Sequence, residues 1–592
     1  MAAGPAGAAA PERVEAPRGW AEPRGRAVPD VDVLDGETLL RRGVRDLGDA
    51  LSMLPGVMVL EQADGHRTLV VDGQAGRVAL CVDGRTVPRA LDGSVDLAEL
   101  PATVEEVVRV ELVRGPMGHV YGNGAEAGVL NVVTRRLQAT GASVGASGLL
   151  APGGGAGGTA GAAASWVGDS AGLHGNAEAG LFPGVNTLSA RAPPRRLMAL
   201  GAGGAFRPHA RVLLRGDVGA RELQVESAGG AWLRRRAQAA GEAIFTIAGG
   251  DTLRVELRGA AVESRAELPG RLHTDRAWEQ VVQFRYAGEP LADHLLRGEL
   301  QLFSEWGQGE SSAEFTSGRI RVSGMVADTW AVGRVFTLEG ALRLESTHAS
   351  APVAAPSLSF RYEPFRHVTV RATVGAGYRL LPLEAEVGAL PSLLGPVLNG
   401  NGAPETGRGA RLSVVFQPDA LARFHAEVFR TDASDGPLAL SLGQGSVGIV
   451  FGQFQQAVQP SQHVQGLRLD AALTRLRGGV SASAGYVYLQ EAYDDARAAR
   501  LPAVPRHAFN LVAAVAPEFL GGGVQLALLS GFDRVDSAGA GLPATAVLHL
   551  TAWKRLGGVD TSCTVDNALG ASAEAGGPRA GRVFRCLVRA SL

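Results

Sequence analysis

Between residues 142 and 592, apolar and polar side chains alternate along many short segments. Such alternation predicts β-strands, because successive side chains of a strand point to opposite faces. Four segments show it clearly. Their apolar faces carry Val370, Ala372, Val374, Ala376 and Tyr378; Leu412, Val414 and Phe416; Ala422, Phe424, Ala426 and Val428; and Leu300, Leu302 and Trp306. Their polar faces carry Thr369, Arg371 and Thr373; Arg411, Ser413 and Gln417; Arg423, His425 and Glu427; and Arg297, Glu299, Gln301 and Glu305.

A sheet with one apolar and one charged face would need a second sheet to cover the apolar face in water. In a bilayer, lipid covers that face and the charged face lines a lumen, which is the pattern of an outer-membrane barrel. A spanning strand needs roughly 9–11 residues, and the alternating segments number roughly twenty. The pattern therefore predicts an all-β membrane barrel.

The composition fits a protein of strands and turns. The chain has 592 residues, 81 glycines and only 20% charged residues, and no run of 18 apolar residues that would predict a transmembrane helix. The net charge of −2 gives no electrostatic reason to expect nucleic acid as a partner. Aromatic residues make up only 5%, so we expect thin aromatic girdles at the membrane interfaces.

Three cysteines in this length are typical of an exported protein that does not rely on disulfides. Cys81 lies in a predicted strand and is expected to be a small buried side chain. Cys563 and Cys586 could face each other on the last strands, although we expect free thiols.

Residues 1–30 are predicted to be a disordered tether. Prolines recur every six residues among alanine, glycine and mixed charges, which favours extended, solvated chain; they are Pro5, Pro11, Pro17, Pro23 and Pro29. The segment lacks the apolar core of a signal peptide, and we expect the true start to lie upstream.

A second region, residues 31–138, combines helical and strand patterns. A helix is predicted over residues 46–54, with Leu47, Ala50, Leu51 and Leu54 on one face. The segments 69–73 and 79–84 are short apolar strands that end in Asp-Gly turns.

Residues 105–136 read EEVVRVELVRGPMGHVYGNGAEAGVLNVVTRR, a strand, a glycine-rich loop and a second strand. Gly115, Gly122, Gly124 and Gly128 mark positions where the backbone needs a positive φ or passes close to other chain. This string resembles the end of the plug domain of TonB-dependent outer-membrane receptors. The matching residues are Glu111, Arg114, Gly115, Pro116, Tyr121, Gly122, Ala125, Gly128, Asn131 and Thr134.

Further segments extend the resemblance. The predicted helix runs into Leu-Pro-Gly-Val as in the family, and the two Asp-Gly strands are similar to the family's IRG and LIDG segments. In the barrel region, Arg379 lies in a segment similar to GFRAPSLxEL, and Pro404 and Glu405 lie in one similar to NPxLKPExSx. The resemblance implies about 22 antiparallel barrel strands in residues 139–592, with residues 31–138 forming an N-terminal α+β plug in the lumen, in the cell outer membrane of a Gram-negative bacterium.

The chain departs from the family at three places. Asp72 replaces the arginine of IRG, which in the family pairs with barrel-wall carboxylates, so the anchoring of the plug at this position is an open question. Leu592 replaces the terminal phenylalanine that the barrel-assembly machinery recognises in most members. A TonB-contact box is not evident, and the candidate is Glu12, Arg13, Val14, Glu15 and Ala16.

The resemblance implies TonB-dependent uptake of a scarce ligand, most often a ferric siderophore and next cobalamin, energised by TonB with ExbB and ExbD. No cofactor or metal is implied. The expected ligand contacts lie in the plug loops after the two Asp-Gly turns, where arginines suit anionic iron chelates or phosphate-bearing corrinoids. They are Arg85 and Arg89, followed by Gln74 and Arg77. Solvated loop charge is the alternative for each of them. Arg114 and Tyr121 are expected to be part of the plug architecture.

Two alternatives to an energised importer remain open. One is a plugged barrel that binds, adheres or senses at the surface as a degenerate receptor paralogue, and the other is a passive pore. An enzyme is not expected, because Gly122-Asn123-Gly124 lacks the helix and acidic residue of a dinucleotide site and no catalytic constellation is present. His119 is expected to be a solvent-facing or structural histidine.

Overall fold

In the computed structural model, the described residues are 13–15, 22–23, 27–41, 48, 51, 54–61, 67–90, 95–103, 106–134, 140–151, 155–186, 191–227, 230–247, 250–268, 271–310, 314–333, 335–348, 352–380, 383, 404–434, 436–438, 457–459, 461–476, 478–493, 504–535, 541–570 and 582–591. The predicted helix over 46–54 lies mostly outside them, as do Glu12, Ala16 and Leu592.

Residues 13–134 form small sheets and short helices. The strands are β1 (Arg13–Val14), β2 (Glu22–Pro23), β3 (Val31–Asp35), β4 (Val57–Glu61), β5 (Arg67–Val71), β6 (Gln74–Ala75), β7 (Val78–Val82), β8 (Arg85–Thr86), β9 (Val107–Arg114) and β10 (Gly128–Thr134). The helices are α1 (Gly36–Arg41), α2 (Gly118–Tyr121) and a 3₁₀ turn, Leu97–Glu99. A five-stranded sheet has the order β3-β9-β10-β7-β8, and β4, β5 and β6 form a second sheet.

The predicted turns of this region are confirmed. Asp72 and Asp83 have φ of 50°, and the glycines that follow have φ of 79° and 76°, the left-handed conformation of a two-residue hairpin turn. Gly115, Gly122, Gly124 and Gly128 also have positive φ, at 89°, 69°, 84° and 148°. An apolar core lies between the sheets and includes Leu51, Leu69, Leu80, Leu112 and Leu130.

The remaining strands are longer. They are β11 (Gly141–Ala151), β12 (Gly155–Val167), β13 (Ala171–Phe182), β14 (Val185–Asn186), β15 (Arg191–Ala192), β16 (Arg195–His209), β17 (Val212–Ser227), β18 (Gly230–Thr246), β19 (Thr252–Leu268), β20 (Arg271–Leu291), β21 (His294–Glu310), β22 (Glu314–Val332), β23 (Phe336–Thr347), β24 (Val353–Phe365), β25 (Val368–Arg379), β26 (Glu405–Phe416), β27 (Ala422–Ala433), β28 (Gly436–Leu438), β29 (Ala457–Gln459), β30 (Gln462–Leu476), β31 (Val480–Tyr493), β32 (His507–Val515), β33 (Gly522–Phe532), β34 (Arg534–Val535), β35 (Gly541–Leu542), β36 (Thr545–Leu556), β37 (Val559–Asp566) and β38 (Val583–Ser591). A 3₁₀ turn, Glu518–Leu520, precedes β33.

These strands close into an antiparallel barrel of 22 strands, in which the last strand, β38, pairs with the first, β11. Three two-stranded hairpins, β14–β15, β28–β29 and β34–β35, lie between barrel strands. The predicted fold class, a 22-strand membrane barrel with an N-terminal plug, is confirmed. Among the described residues, no helix has the length and apolar character needed to cross a membrane.

The two ends of the barrel differ in their connections. One end carries short turns, such as 210–211, 292–293 and 557–558, while the other carries the long connections 381–403 and 435–460. Outer-membrane barrels have short periplasmic turns and longer extracellular loops. The short-turn end is therefore the periplasmic end, and the other is the external end.

The predicted faces of the barrel strands are confirmed. Leu302, Leu412 and Val428 are 47%, 45% and 50% exposed on the outer face, whereas their neighbours Arg411 and Glu427 are buried in the lumen. Tyr378 differs, because β25 pairs with β24 only up to Gly375. Beyond that point the Tyr378 side chain is buried and its hydroxyl donates to Glu345 at 2.6 Å.

The aromatic residues gather near the strand ends. Exposed aromatic side chains near the periplasmic ends include Trp166, Phe206, Phe245, Trp330, Tyr362, Phe365, Phe416 and Phe424, and near the external ends they include Trp306, Phe509, Phe532 and Phe584. Trp278 and Phe284 are also exposed but lie in the interior of β20. Few aromatic residues therefore suffice to mark both membrane interfaces.

The cysteines differ from expectation. Cys563 and Cys586 form a disulfide between β37 and β38, where they are direct register partners on the outer face. The expectation of free thiols at these two positions is wrong, since strand pairing brings together residues that are 23 positions apart. Cys81 is buried, as predicted, and burial raises the pKa of its thiol to about 12.

Candidate functional site

The contact between the plug and the lumen wall is the candidate functional site, and Asp72 lies at its centre. Asp72 is fully buried in the turn between β5 and β6. Its carboxylate accepts from Arg114 Nη1 of the plug at 2.6 Å and from Arg411 Nη2 of barrel strand β26 at 2.5 Å. Although burial raises the pKa of Asp72, the guanidinium groups of Arg114 and Arg411 bring it below its ordinary value.

This geometry answers the question that the sequence left open at position 72. The residue does anchor the plug to the barrel, but with the signs of both partners exchanged. The negative charge is on the plug, at Asp72, and the positive charge is on the wall, at Arg411. Arg411 also binds the wall carboxylate of Glu427 at 2.5 Å.

Arg114 connects Asp72 to the first strand of the plug. Its Nε donates to Asp32 of β3 at 2.9 Å, and its Nη2 donates to the carbonyl oxygen of Pro55 at 2.7 Å. Arg468 of β30 binds the same aspartate at 2.7 Å. Arg114 therefore links three segments of the plug and forms part of the same ion-pair network.

A second contact lies at the external end. Arg77 Nη2 is 2.6 Å from Glu405 Oε1, and Arg77 Nη1 donates to Gln462 Oε1 at 2.6 Å. Arg379 Nε donates to the other oxygen of Glu405 at 2.9 Å. Glu405 of the predicted barrel motif thus binds both the plug arginine Arg77 and the motif residue Arg379, while Pro404 directly precedes β26.

Glu126 packs against two wall glycines beside this contact. A Cβ atom on Gly377 would lie 2.8 Å from the Cα of Glu126, and one on Gly407 would lie 3.0 Å from its Cβ. Both carboxylate oxygens of Glu126 are buried without a hydrogen-bond partner among the described residues. Burial, with the nearby charge of Glu405, raises the pKa of Glu126 to about 7.

The stability of the seated plug is expected to fall as pH rises from about 4.5 to about 7, and then to level off. The reason is that the buried carboxyl binds its proton more tightly than a free glutamate does; a shift of this size corresponds to about 3 kcal/mol. The variant Glu126→Gln removes this ionisable group, so protection of the plug from protease should depend less steeply on pH across this range, and the remaining slope should come from Glu15, whose pKa is also raised to about 7. Glu226→Gln, an exposed glutamate on the outer face, is the control and should keep the wild-type profile. An unchanged pH profile in Glu126→Gln would contradict the assignment.

Arg85 follows the Asp83-Gly84 turn and contacts three carboxylates of the lumen wall. Its guanidinium is 2.5 Å from Asp217 of β17, 3.4 Å from Glu256 of β19 and 3.8 Å from Glu242 of β18. All three carboxylates lie in the strand halves nearer the periplasmic turns. Arg85 therefore contacts the wall inside the barrel and is not part of an external loop.

The other predicted ligand contacts lie higher in the lumen. Gln74 follows the Asp72-Gly73 turn and is 1% exposed, with both amide atoms lacking a hydrogen-bond partner among the described residues. Arg89 is partly exposed, and its guanidinium closely approaches Gly124. Whether Arg85, Arg89, Gln74 or Arg77 contacts a ligand stays a prediction.

The remaining plug motif residues have structural surroundings. Asn131 Oδ1 accepts from the backbone N–H of Gly84 at 2.9 Å, and Pro116 packs on Gly409 of the wall. Tyr121 is buried in the plug core. His119 is buried too, and burial lowers its pKa to about 4, so the ring is neutral at pH 7.

The described part of the TonB-contact candidate is docked on the plug. Val14 is fully buried in a cluster with Ala27, Val31 and Val113, and β1 pairs with β2. The backbone N–H of Glu15 donates to Glu111 at 2.8 Å. Burial, with the nearby charges of Asp83 and Glu111, raises the pKa of Glu15 to about 7.

Several wall-contacting residues were not singled out from the sequence, notably Asp30, Asp32 and Glu126 in the plug and Arg468 in the barrel. Arg411 was placed on the polar face of its segment, but nothing in the sequence identified its partner. The alternation of apolar and polar residues predicts which barrel residues face the lumen. No sequence pattern predicts which of them pair with plug residues hundreds of positions away.

Two family models match the chain. The TonB-dependent Receptor Plug Domain matches residues 25–129, and the TonB dependent receptor-like beta-barrel matches residues 227–568, more than half of the 592 residues. The chain belongs to the TonB-dependent receptor family. The protein is therefore located in the outer membrane. The members of the family are receptors and transporters rather than enzymes.

Curated relatives align with a short part of this receptor. The "Iron-regulated outer membrane virulence protein" of Vibrio cholerae serotype O1 is 31% identical over 126 residues, which is 20% of this chain and 19% of the relative. The "Vitamin B12 transporter BtuB" of Photobacterium profundum is 32% identical over 109 residues, 18% of each chain. The alignments therefore span only about a fifth of these relatives.

Solved structures share the whole fold of this receptor. The siderophore receptor PirA from Acinetobacter baumannii superposes with a TM-score of 0.80 at 15% identity, over 95% of this chain and 98% of that one. The ferric citrate transporter FecA in its unliganded form gives 0.77 at 15% identity, over 95% and 97%. At such identities the likeness concerns the fold.

Proposed function

We propose that this receptor imports a scarce external ligand by a TonB-dependent mechanism, with a ferric siderophore as the first candidate and cobalamin as the second. The supporting observation is that buried ion pairs bind the plug to the lumen wall and that the N-terminal strand β1 packs against the plug. A filled lumen prevents free diffusion, so passage requires the plug to move. The likeness to receptors for siderophores and ferric citrate, and to vitamin B12 transporters, supports this choice of ligands.

Energy for that movement would come from the inner membrane through TonB, ExbB and ExbD. TonB would bind the N-terminal segment that contains Arg13, Val14 and Glu15, within a tether of residues 1–30 that leads into a plug of residues 31–138. Val14 is buried when docked, so recruitment requires release of the segment. Ligand favours release only if it binds the released state more tightly. The barrel-assembly machinery would insert the chain.

At the external end, Gln74 and Arg89 are the proposed ligand contacts, with Arg77 behind them. The unpartnered amide of Gln74 has both a donor and an acceptor to offer. Arg77 is already neutralised by Glu405, so it would contact ligand only after exchanging partners. Arg85 is the fourth proposed ligand contact. Three wall carboxylates bind it, and they would have to be displaced before a ligand could bind.

Site-specific crosslinking tests the proposal. A cysteine at position 13 (Arg13→Cys) should crosslink to TonB in outer-membrane preparations, and the yield should rise severalfold when the correct ligand is added. Ferric enterobactin, ferric citrate and cobalamin are the first probes. Asp560→Cys, in the last barrel hairpin, is the control and should not respond to ligand. If no ligand raises the yield at position 13, the alternative of a non-energised surface binding, adhesion or sensory protein is favoured.

A further inference from the structure

A group of basic side chains on the lumen wall meets two aspartates of the N-terminal part of the plug. Arg468 of β30 binds Asp32 through two nitrogens, at 2.7 and 3.0 Å. Around Asp30 lie His425 Nε2 at 3.1 Å, Arg423 Nη2 at 3.6 Å and Arg371 Nη1 at 3.9 Å. These wall residues, together with Arg411, are called the basic wall cluster: Arg371, Arg411, Arg423, His425 and Arg468.

Carboxylates of the plug add negative charge around the cluster when the plug is seated. Two wall carboxylates share its cations, since Glu427 binds Arg411 at 2.5 Å and Asp470 binds Arg468 at 2.6 Å. These two carboxylates bind two of the four arginines, and His425 is bound to Asp470 at 2.9 Å. Asp30, Asp32 and Asp72 of the plug add negative charge to the cluster. Without the plug, the cluster would lose these three anionic partners.

A small cavity lies beside the basic wall cluster. A cavity of about 20 Å³ is lined by residues of the cluster and by the two aspartates, together with Arg114 and Ser413. Its volume suits roughly one water-sized group. Arg423 is 31% exposed and Asp30 is 15% exposed, so solvent reaches the edge of the cluster. Arg371, Arg423 and His425 lie in the strand halves nearer the periplasmic end.

We propose that the basic wall cluster is an oxyanion-binding site, and that the carboxylates of Asp30 and Asp32 occupy it as built-in substitutes while the plug is seated. Carboxylate or phosphate groups are the chemistry it would take, because planar guanidinium groups bind such oxyanions through paired hydrogen bonds. The inference extends the proposed function. Withdrawal of the N-terminal segment would empty the site, and an anionic ligand passing the plug would then meet it before reaching the periplasm.

The test uses the full-length protein in detergent with inorganic phosphate as the probe. The variant D30N/D32N removes the charge of both side chains, so the neutral amides hold the guanidinium groups less tightly and phosphate can displace them. We expect phosphate to bind this variant with at least tenfold higher affinity than the wild type by calorimetry. Phosphate should also raise its Tm relative to chloride at equal ionic strength. Citrate, which carries carboxylates, should act in the same direction.

Two further substitutions locate the binding. In the D30N/D32N background, R371Q and R423Q should each weaken phosphate binding severalfold, because each removes one cation of the cluster. R555Q, an exposed arginine at the periplasmic end of β36, is the control and should leave the affinity unchanged. Equal phosphate binding in the wild type and D30N/D32N, or binding insensitive to R371Q and R423Q, would overturn the proposal.

Should D30N/D32N fail to fold, the single variant D30N gives the same comparison with a smaller expected increase, since Asp30 lies at the solvent-accessible edge. The absence of any phosphate-specific gain in D30N would then count against the site. No TonB is present in these measurements. A negative result therefore leaves the import mechanism standing, and a failed TonB crosslink leaves the anion site standing.

Discussion

Asp72→Arg is expected to release the plug from the wall and open the lumen. The new guanidinium would lie beside Arg114 and Arg411, which now both bind the Asp72 carboxylate. Breaking a buried ion pair from one side destabilises by about 3–5 kcal/mol, because the remaining charge is left without a partner. In planar bilayers the variant should conduct ions where the wild type is nearly silent, and its plug should be cleaved faster by trypsin.

The double variant Asp72→Arg/Arg411→Glu should restore much of the wild-type behaviour. It places an arginine on the plug between two wall carboxylates, the introduced one and that of Glu427, which is the polarity that the resemblance to the family implies. Asp560→Arg, which reverses a charge at an exposed position, is the control for charge change alone. A silent, protease-resistant Asp72→Arg variant would show that this contact does not hold the plug.

Gly377→Val is expected to unseat the loop that ends at Glu126, without any change of charge. The Cβ atom would lie 2.8 Å from the Cα of Glu126 and 3.2 Å from its backbone nitrogen, and a backbone cannot step aside as a flexible side chain does. Overpacking of this kind costs about 1–3 kcal/mol. Hydrogen exchange at the amide of Gly124, which donates to the backbone carbonyl oxygen of Tyr378 at 2.9 Å, should accelerate by at least tenfold.

Gly340→Val is the matched control, because Gly340 lies in β23 with no atom within 4 Å of its added Cβ. This variant should keep the slow exchange at Gly124 and the wild-type resistance to protease. Equal acceleration in both variants would mean that valine disturbs the barrel in general, and the specific seat at Gly377 would lose its support.

The parts of the fold that follow from local chemistry were predictable. Leu412 faces outward and Arg411 inward because lipid and lumen impose opposite preferences on consecutive residues. The Asp-Gly turns follow from a two-residue loop that needs positive φ twice. In both cases the residues that decide the structure lie next to each other in the chain.

The candidate site depends on pairings that no local pattern contains. Asp72 and Arg411 are 339 positions apart, and an ion pair is equally compatible with either assignment of signs to plug and wall. The turn before Arg85 was predictable, but the height of Arg85 in the lumen depends on how the plug docks, which no local pattern contains. The disulfide was missed because it depends on the register between β37 and β38.

That covalent bond has a mechanical consequence. Cys563 and Cys586 join the last two barrel strands on the side that faces lipid. The pairing of these two strands therefore cannot shift by a residue or separate. If the barrel widens while the plug moves, the deformation must occur at other strand pairs.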